Sequence, residues 1–181
     1  MFSKSTDRRN FLRILVGGVG SAILSGLPEI AFAYGVNSWH RLTQADRNQR
    51  IINTAYQDIG RKLGECKPWI RDVVRHASQD HVIIPSTVSP PNDWYWNSDP
   101  YNHAIGFSAR LEDIPVGNII QMRLKNGTPH TAIVAARTRD GVKFLESNRF
   151  NDITVRLQPI TYKQFYDGLG PARLFSVYYI L

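Results

Sequence analysis

The amino-acid sequence predicts one α+β domain, in which N-terminal helices pack on an antiparallel sheet of about five strands. Between residues 43 and 78 the apolar residues recur every three or four positions, a spacing typical of amphipathic helices. From residue 119 onward the period changes to two, and Asn-Gly and Asp-Gly pairs separate the apolar runs, as they do in hairpins. Helices first and a meandering sheet afterwards are typical of the α+β class.

Residues 1–33 are predicted to be an export signal, separate from the fold. Four basic residues begin it, an apolar run from Ile14 to Leu27 follows, and Ala31-Phe32-Ala33 is an A-x-A cleavage sequence. The string from Asp7 to Arg13, DRRNFLR, resembles the twin-arginine export motif. That resemblance implies a bacterial protein that the twin-arginine export machinery delivers to the periplasm or the cell exterior. The alternative is an uncleaved anchor, although the apolar run is shorter than the roughly 20 residues of a membrane span.

The sequence beyond the signal has the size of one domain. Residues 34–42 are predicted to be a linker, and residues 43–181 the domain. The whole chain carries a formal charge of +7; without the four basic and two acidic residues of the signal, 18 basic and 13 acidic residues leave +5. A modest positive charge suits anionic wall polymers or lipid headgroups, with the membrane otherwise contacted only through the signal. The basic residues are scattered and form no aromatic-interleaved stripe, which argues against nucleic-acid binding.

Two helices are predicted on either side of a short connection. Thr43 stands three residues before Asp46, a capping arrangement, and the first helix is predicted to run to about Lys62 with Gly64 as its stop. The second is predicted to begin at Cys66 and to end near Ser78.

Cys66 is the only cysteine in the chain and a candidate nucleophile. Pro68 suits a first helical turn, so Cys66 is expected at the helix start. The unpaired N–H groups and the positive dipole end there favour a thiolate. The alternative is that Cys66 is a small buried apolar residue. A single cysteine in an oxidising compartment cannot form an internal disulfide, which favours a reactive thiol.

Residues 79–107 are predicted to form a long proline-rich loop. Long loops in small domains are usually functional, and Trp94, Trp96 and Tyr101 are candidate substrate-binding residues in a groove. The alternative is that each of these aromatic side chains packs the loop onto the domain.

Five strands and one further helix are predicted after this loop. The predicted strands span residues 119–124, 130–136, 142–147, 153–157 and 174–181, and the predicted short helix spans residues 162–166.

His130 begins the second predicted strand, and Glu146 and Asn148 end the third, so all three fall at the open end of one hairpin. A bulge at Gly141 would put His130 opposite Asn148, whereas a plain two-residue loop would pair His130 with Arg149. Glu146 and Asn148 share a face in either register.

These motifs, in this order, resemble the CHAP family of cysteine, histidine-dependent amidohydrolases/peptidases. The resemblance rests on Cys66 at a helix start, Gly117-Asn118-Ile119, His130-Thr131-Ala132 and Glu146-Ser147-Asn148. Asn118 stands where the family has Asp, a change expected to affect only a turn. The family is related to NlpC-type cell-wall peptidases within the papain-like superfamily, so the resemblance implies a papain-like fold.

The resemblance also implies an activity. Cys66 would be the nucleophile and His130 the base, Glu146 would orient the imidazole, and Asn148 would be a further polar partner. The implied substrate is a cell-wall peptide or another amide. The alternative is a wall-binding or partner-binding module on the same fold without catalysis. No cofactor or metal is expected, because Cys66, His76 and His81 are loosely spaced and lack a fourth ligand.

Overall fold

The computed structural model describes residues 39–84, 102–106, 110–149, 152–171 and 175–181, with only the backbone given for 102–106. Val36–Leu181 form one compact unit. The predicted export signal, the start of the predicted linker, and Trp94, Trp96 and Tyr101 lie outside the described residues. Among the helices described here, none has the length and apolar character that a bilayer crossing requires.

The described residues include three α-helices, and the starts of the first and third follow capping signals in the sequence. They are α1 (Gln44–Tyr56), α2 (Cys66–Ala77) and α3 (Tyr162–Gly168). The side chain of Thr43 accepts a hydrogen bond from the Asp46 amide at 3.2 Å, which confirms the predicted cap of α1. The predicted start and end of α2 are also confirmed. Thr161 and Gln164 form a reciprocal capping box at the start of α3.

The first helix ends earlier than predicted because the chain after it pairs with a later segment. Gly60 has a φ of +85°, a conformation that ends the helical path. Its N–H donates to the carbonyl of Val155 at 2.9 Å, and the N–H of Leu63 donates to the carbonyl of Ile153 at 3.1 Å. Residues 153–155 therefore pair with residues 60–63, and the strand predicted at 153–157 begins later, at Arg156.

Within the part of the chain that the structure describes, the sheet has six strands, one more than predicted, and every pairing in it is antiparallel. The strands are β1 (Asn102–Gly106), β2 (Ile119–Arg123), β3 (Pro129–Arg137), β4 (Gly141–Glu146), β5 (Arg156–Thr161) and β6 (Phe175–Ile180). Their spatial order is β1-β6-β2-β3-β4-β5. The additional strand, β1, lies inside the segment predicted to be a loop, so that prediction was wrong for residues 102–106. The α+β class is confirmed.

Strands β3 and β4 pair through a bulge that lies away from the turn. The register changes by one residue between Val134 and Ala136, and beyond it Ala132 lies opposite Glu146. The extra residue lies in β3, so the bulge is not at Gly141, the position that one of the two predicted registers requires.

Apolar residues cover both faces of the sheet, and successive residues along each strand contribute to opposite faces. One cluster joins Ile51 of α1 and Ile70 of α2 to strand residues that include Ile133. The other joins Phe165 of α3 to strand residues that include Val134. The core is thus two layers, one on each side of the sheet.

The folded domain begins before residue 43. A short 3-10 turn spans Trp39–Arg41, and the Trp39 side chain is only 1% exposed. Its indole N–H donates to the carbonyl of Leu181 at 2.5 Å. Trp39 of the predicted linker is therefore part of the core, and Leu42 packs against it.

A buried polar junction connects α1 to the start of β2. The Asn48 side-chain amide donates to the carbonyl of Val116 at 2.8 Å and to the side-chain oxygen of Asn118 at 3.0 Å. Gly117 has a φ of +91°, and a Cβ there would lie 2.3 Å from the Asn48 Cβ. Asn118 thus does more than shape a turn, because it ties the sheet to the first helix.

Candidate active site

Cys66 lies at the first residue of α2, where the sequence predicts it. Glu65 precedes it in extended conformation and provides no side-chain cap. The N–H groups of the first helical turn have no partners within the helix, so they give this end a partial positive charge. Cys66 itself is 3% exposed.

A serine ties the entry to α2 to the end of β4. The Ser147 hydroxyl oxygen lies 2.6 Å from the carbonyl oxygen of Gly64 and 3.0 Å from that of Ile153. Ser147 follows Glu146 directly, and Gly64 lies two residues before Cys66. The segment that carries the thiol and the strand that carries the carboxylate are therefore attached to each other.

His130 and Glu146 meet across the β3–β4 pair. Ala132 lies opposite Glu146, and His130 is two residues along the same face of β3. His130 Nε2 lies 2.9 Å from Glu146 Oε2. The two side chains are each 3% exposed, so this is a buried ion pair whenever the imidazole is protonated.

The His130 imidazole also contacts the thiol of Cys66. Burial lowers the pKa of His130, but hydrogen bonds to the Cys66 and Glu146 side chains, together with the charges of these groups, raise it from 6.5 to about 9. Glu146 contacts the imidazole through Nε2. The structure therefore brings three of the four predicted catalytic residues together.

Asn148 takes a different position from the one predicted. Continued past its last pair, the β3–β4 register would place Asn148 opposite His130, but Asn148 has a φ of +56° and the strand has ended. Within the described residues no hydrogen bond joins the two side chains. Glu146, and not Asn148, is the residue that binds the imidazole.

Arg149 is the residue of this site that sequence reasoning missed. Its Nη1 lies 3.1 Å from Glu146 Oε1 and 3.2 Å from Oε2, and its side chain is 20% exposed. In the sequence it appeared only as an alternative partner in the β3–β4 register. The left-handed turn at Asn148 brings it back over Glu146, and the sequence signals such a turn only weakly.

A shallow polar cleft opens beside Glu146. It is lined by Glu146, Arg149, Asp152, Thr154, Arg156 and Gln158. Its charges alternate in sign, and Arg156 forms an ion pair with Asp152.

His40, His76 and His81 take no part in this arrangement. His76 is exposed on α2, where its Nε2 lies 3.1 Å from Nη2 of Arg75. His81 is exposed beside His40, with 6.0 Å between ring centroids. Among the residues with described positions, no three His, Cys, Asp or Glu side chains are grouped so that they can hold a metal ion.

Comparison with known proteins gives no relative for this site: no family model, no curated protein and no solved structure matches the chain. The chemistry of the site is therefore argued from its own geometry. A thiol at a helix N-terminus, an imidazole in contact with it and a buried carboxylate behind the imidazole have the arrangement of an activated nucleophile.

Proposed function

We propose that this protein is an exported cysteine amidohydrolase or peptidase of papain-like type. The observation that carries the proposal is the chain of contacts from Cys66 to His130 to Glu146. It joins a nucleophile at a helix N-terminus to a base, and the base to a group that orients it.

The raised pKa of His130 supports an imidazolium beside the sulfur at neutral pH. In the proposed reaction the Cys66 thiolate attacks the amide carbonyl carbon and forms a C–S bond. His130 then gives its proton to the amide nitrogen, the C–N bond breaks and the amine leaves. Water, deprotonated by His130, attacks the resulting thioester, and release of the acid returns the sulfur to its starting state. The net reaction consumes one amide and one water and yields one acid and one amine.

Glu146 has two functions in this mechanism. Its bond to Nε2 fixes the orientation and tautomer of the imidazole, and its negative charge stabilises the imidazolium. The backbone N–H of Cys66 is the proposed donor to the oxyanion that forms during attack. One donor of this kind is worth about 3 kcal/mol of transition-state stabilisation.

We infer that the substrate is a peptide of the bacterial cell wall. The twin-arginine-like signal supports delivery to the compartment that contains the wall, and the motifs shared with the CHAP family support an amide substrate. The net positive charge is compatible with anionic wall polymers.

Zymography on purified cell wall tests the proposal. Wild-type protein is expected to clear the wall, and Cys66→Ala and His130→Ala are expected to leave it intact. His76→Ala is the matched control, because His76 is an exposed histidine on the helix that carries the thiol, and it is expected to clear the wall like wild type. Equal clearing by wild type and Cys66→Ala would refute the proposal.

The second candidate is a wall-binding or partner-binding module without catalysis, and the 3% exposure of Cys66 favours it. Alkylation separates the two candidates. A catalytic Cys66 is expected to react with iodoacetamide at pH 6.5 at least about tenfold faster than free cysteine, whose pKa is about 8.5. A rate equal to or below that of free cysteine, with wall binding retained, would favour the binding module.

A further inference from the structure

We propose that Arg149 is a positioning residue of the active site, which holds Glu146 in place and balances its charge so that Cys66 and His130 can form an ion pair. The inference rests on the proposed function for its consequence in catalysis. Its structural basis is the contact of one guanidinium nitrogen with both oxygens of Glu146, at 3.1 and 3.2 Å.

The backbone around Arg149 holds it over the carboxylate. Asn148 takes a φ of +56°, which reverses the chain directly after Ser147. Arg149 then forms an isolated bridge with Asp152, whose N–H donates to the Arg149 carbonyl at 3.3 Å. These backbone contacts of Arg149 fix the root of its side chain.

The charges of the buried groups explain what Arg149 contributes. With Arg149 present, the carboxylate of Glu146 faces one permanent positive charge, and the thiolate and imidazolium form a second balanced pair. Without Arg149, formation of the thiolate would leave two negative charges and one positive charge among Cys66, His130 and Glu146, whose side chains are nearly inaccessible to water. Ionisation of the thiol is then less favourable, and the imidazolium is held more tightly.

The charged and titratable groups around Glu146 lie on three elements and in the segment that follows β4. They are Cys66 and the adjacent buried Lys67 on α2, His130 on β3, Arg149 and Asp152 in the turn, and Arg156 opposite Glu146 on β5. Arg156 forms an ion pair with Asp152 and is 59% exposed, which makes it a matched control: it is an arginine of the same cleft that forms its ion pair with a different carboxylate.

The first test is the pH profile of Cys66 alkylation by iodoacetamide in the folded chain. For Arg149→Met, the acid limb of the profile is expected to move up by about one pH unit, with a roughly tenfold lower rate at pH 6.5. Arg149→Lys keeps the charge and is expected to recover most of the rate, and Arg156→Met is expected to follow the wild-type profile. A general loss of packing would instead expose the buried thiol and raise the rate on the alkaline plateau towards that of free cysteine, whereas Arg149→Met is expected to keep the wild-type plateau.

The second test follows the His130 imidazole by NMR and does not need a reactive thiol. Arg149→Met is expected to raise the pKa of His130 by about one unit above that of wild type, because Glu146 is no longer offset. In the double variant Glu146→Gln, Arg149→Met the His130 pKa is expected to equal that of Glu146→Gln alone, because Arg149 acts through the carboxylate, and this comparison decides the role of Arg149 even if Arg149→Met alone does not fold.

The two proposals fail in different ways. A wild-type Cys66 that alkylates no faster than free cysteine would contradict the proposed function, and the NMR titration would still decide the role of Arg149. A reactive wild type, with Arg149→Met indistinguishable from Arg156→Met in both the alkylation limb and the His130 pKa, would overturn the inference alone.

Discussion

Replacing Glu146 with glutamine is expected to lower the pKa of His130 strongly. The pKa is about 9 against an ordinary value of 6.5, and at 1.36 kcal/mol per pH unit the difference corresponds to about 3 kcal/mol in favour of the imidazolium. Burial opposes this, so Cys66 and Glu146 together contribute more than that amount. With both partners neutralised only burial remains, and it lowers the pKa of an imidazole. His130 in Cys66→Ala, Glu146→Gln is therefore expected to titrate below 6.5.

The measurement is an NMR titration of the His130 Cε1–H signal between pH 5 and 10. It compares wild type, the two single variants and the double variant, a cycle that separates the contribution of each partner from their coupling. Each single variant is expected to fall between the wild-type and double-variant values. A His130 pKa that stays near 9 in Glu146→Gln would refute the idea that the carboxylate stabilises the imidazolium.

Three further outcomes follow from the fold. Gly117→Ala is expected to lower the free energy of unfolding, measured by urea denaturation, by about 3 kcal/mol, because the new Cβ would collide with Asn48. Gly127 also has a positive φ, +82°, but no atom lies near the position of its Cβ, so Gly127→Ala is expected to lower it by only about 1 kcal/mol. Trp39→Phe keeps a buried aromatic ring, but it removes the indole N–H donor to the Leu181 carbonyl and leaves part of the buried site empty. A loss of about 2–3 kcal/mol in the same assay is expected. Folding raises the pKa of His130, so protonation of this imidazole stabilises the folded state fully below pH 6.5, and the stabilisation is lost as the pH rises to about 9. The free energy of unfolding is therefore expected to fall by about 3 kcal/mol over that pH window in wild type and not in His130→Gln. The first outcome would be contradicted by a larger loss of stability in Gly127→Ala than in Gly117→Ala. The second would be contradicted by unchanged stability in Trp39→Phe, and the third by a pH dependence of stability that survives in His130→Gln.

Local signals were enough to predict the elements that carry the candidate site. The cap at Thr43, the proline after Cys66 and the alternation around His130 each depend on neighbouring residues, so the sequence contains what is needed to read them. The start of α2 and the hairpin were predicted for this reason.

Long-range pairing accounts for the features that sequence could not predict. The end of α1 is set by residues 153–155, nearly a hundred positions later, which pair with the segment around Gly60. Strand β5 contains Pro159, which speaks against a strand, yet β5 lies at the sheet edge where a proline is tolerated.

The choice between Glu146 and Asn148 as the imidazole partner also depended on an unpredictable detail. The bulge after Val134 has no glycine to mark it, and it decides which residues of β3 and β4 lie opposite each other. The left-handed turn at Asn148 then removes that residue from the strand and brings Arg149 to the carboxylate. Neither event has a strong local sequence signal.

The attachment of Ser147 to Gly64 has a consequence for the timing of assembly. A single hydroxyl holds the approach to the nucleophile against the strand end that bears the acid, so both are positioned when the polypeptide folds. In the proposed enzyme, the entropy needed to bring the three groups together would then be lost once per molecule, during folding, instead of once per turnover. A substrate of that enzyme would meet groups already in register and would need to lose only its own freedom of motion.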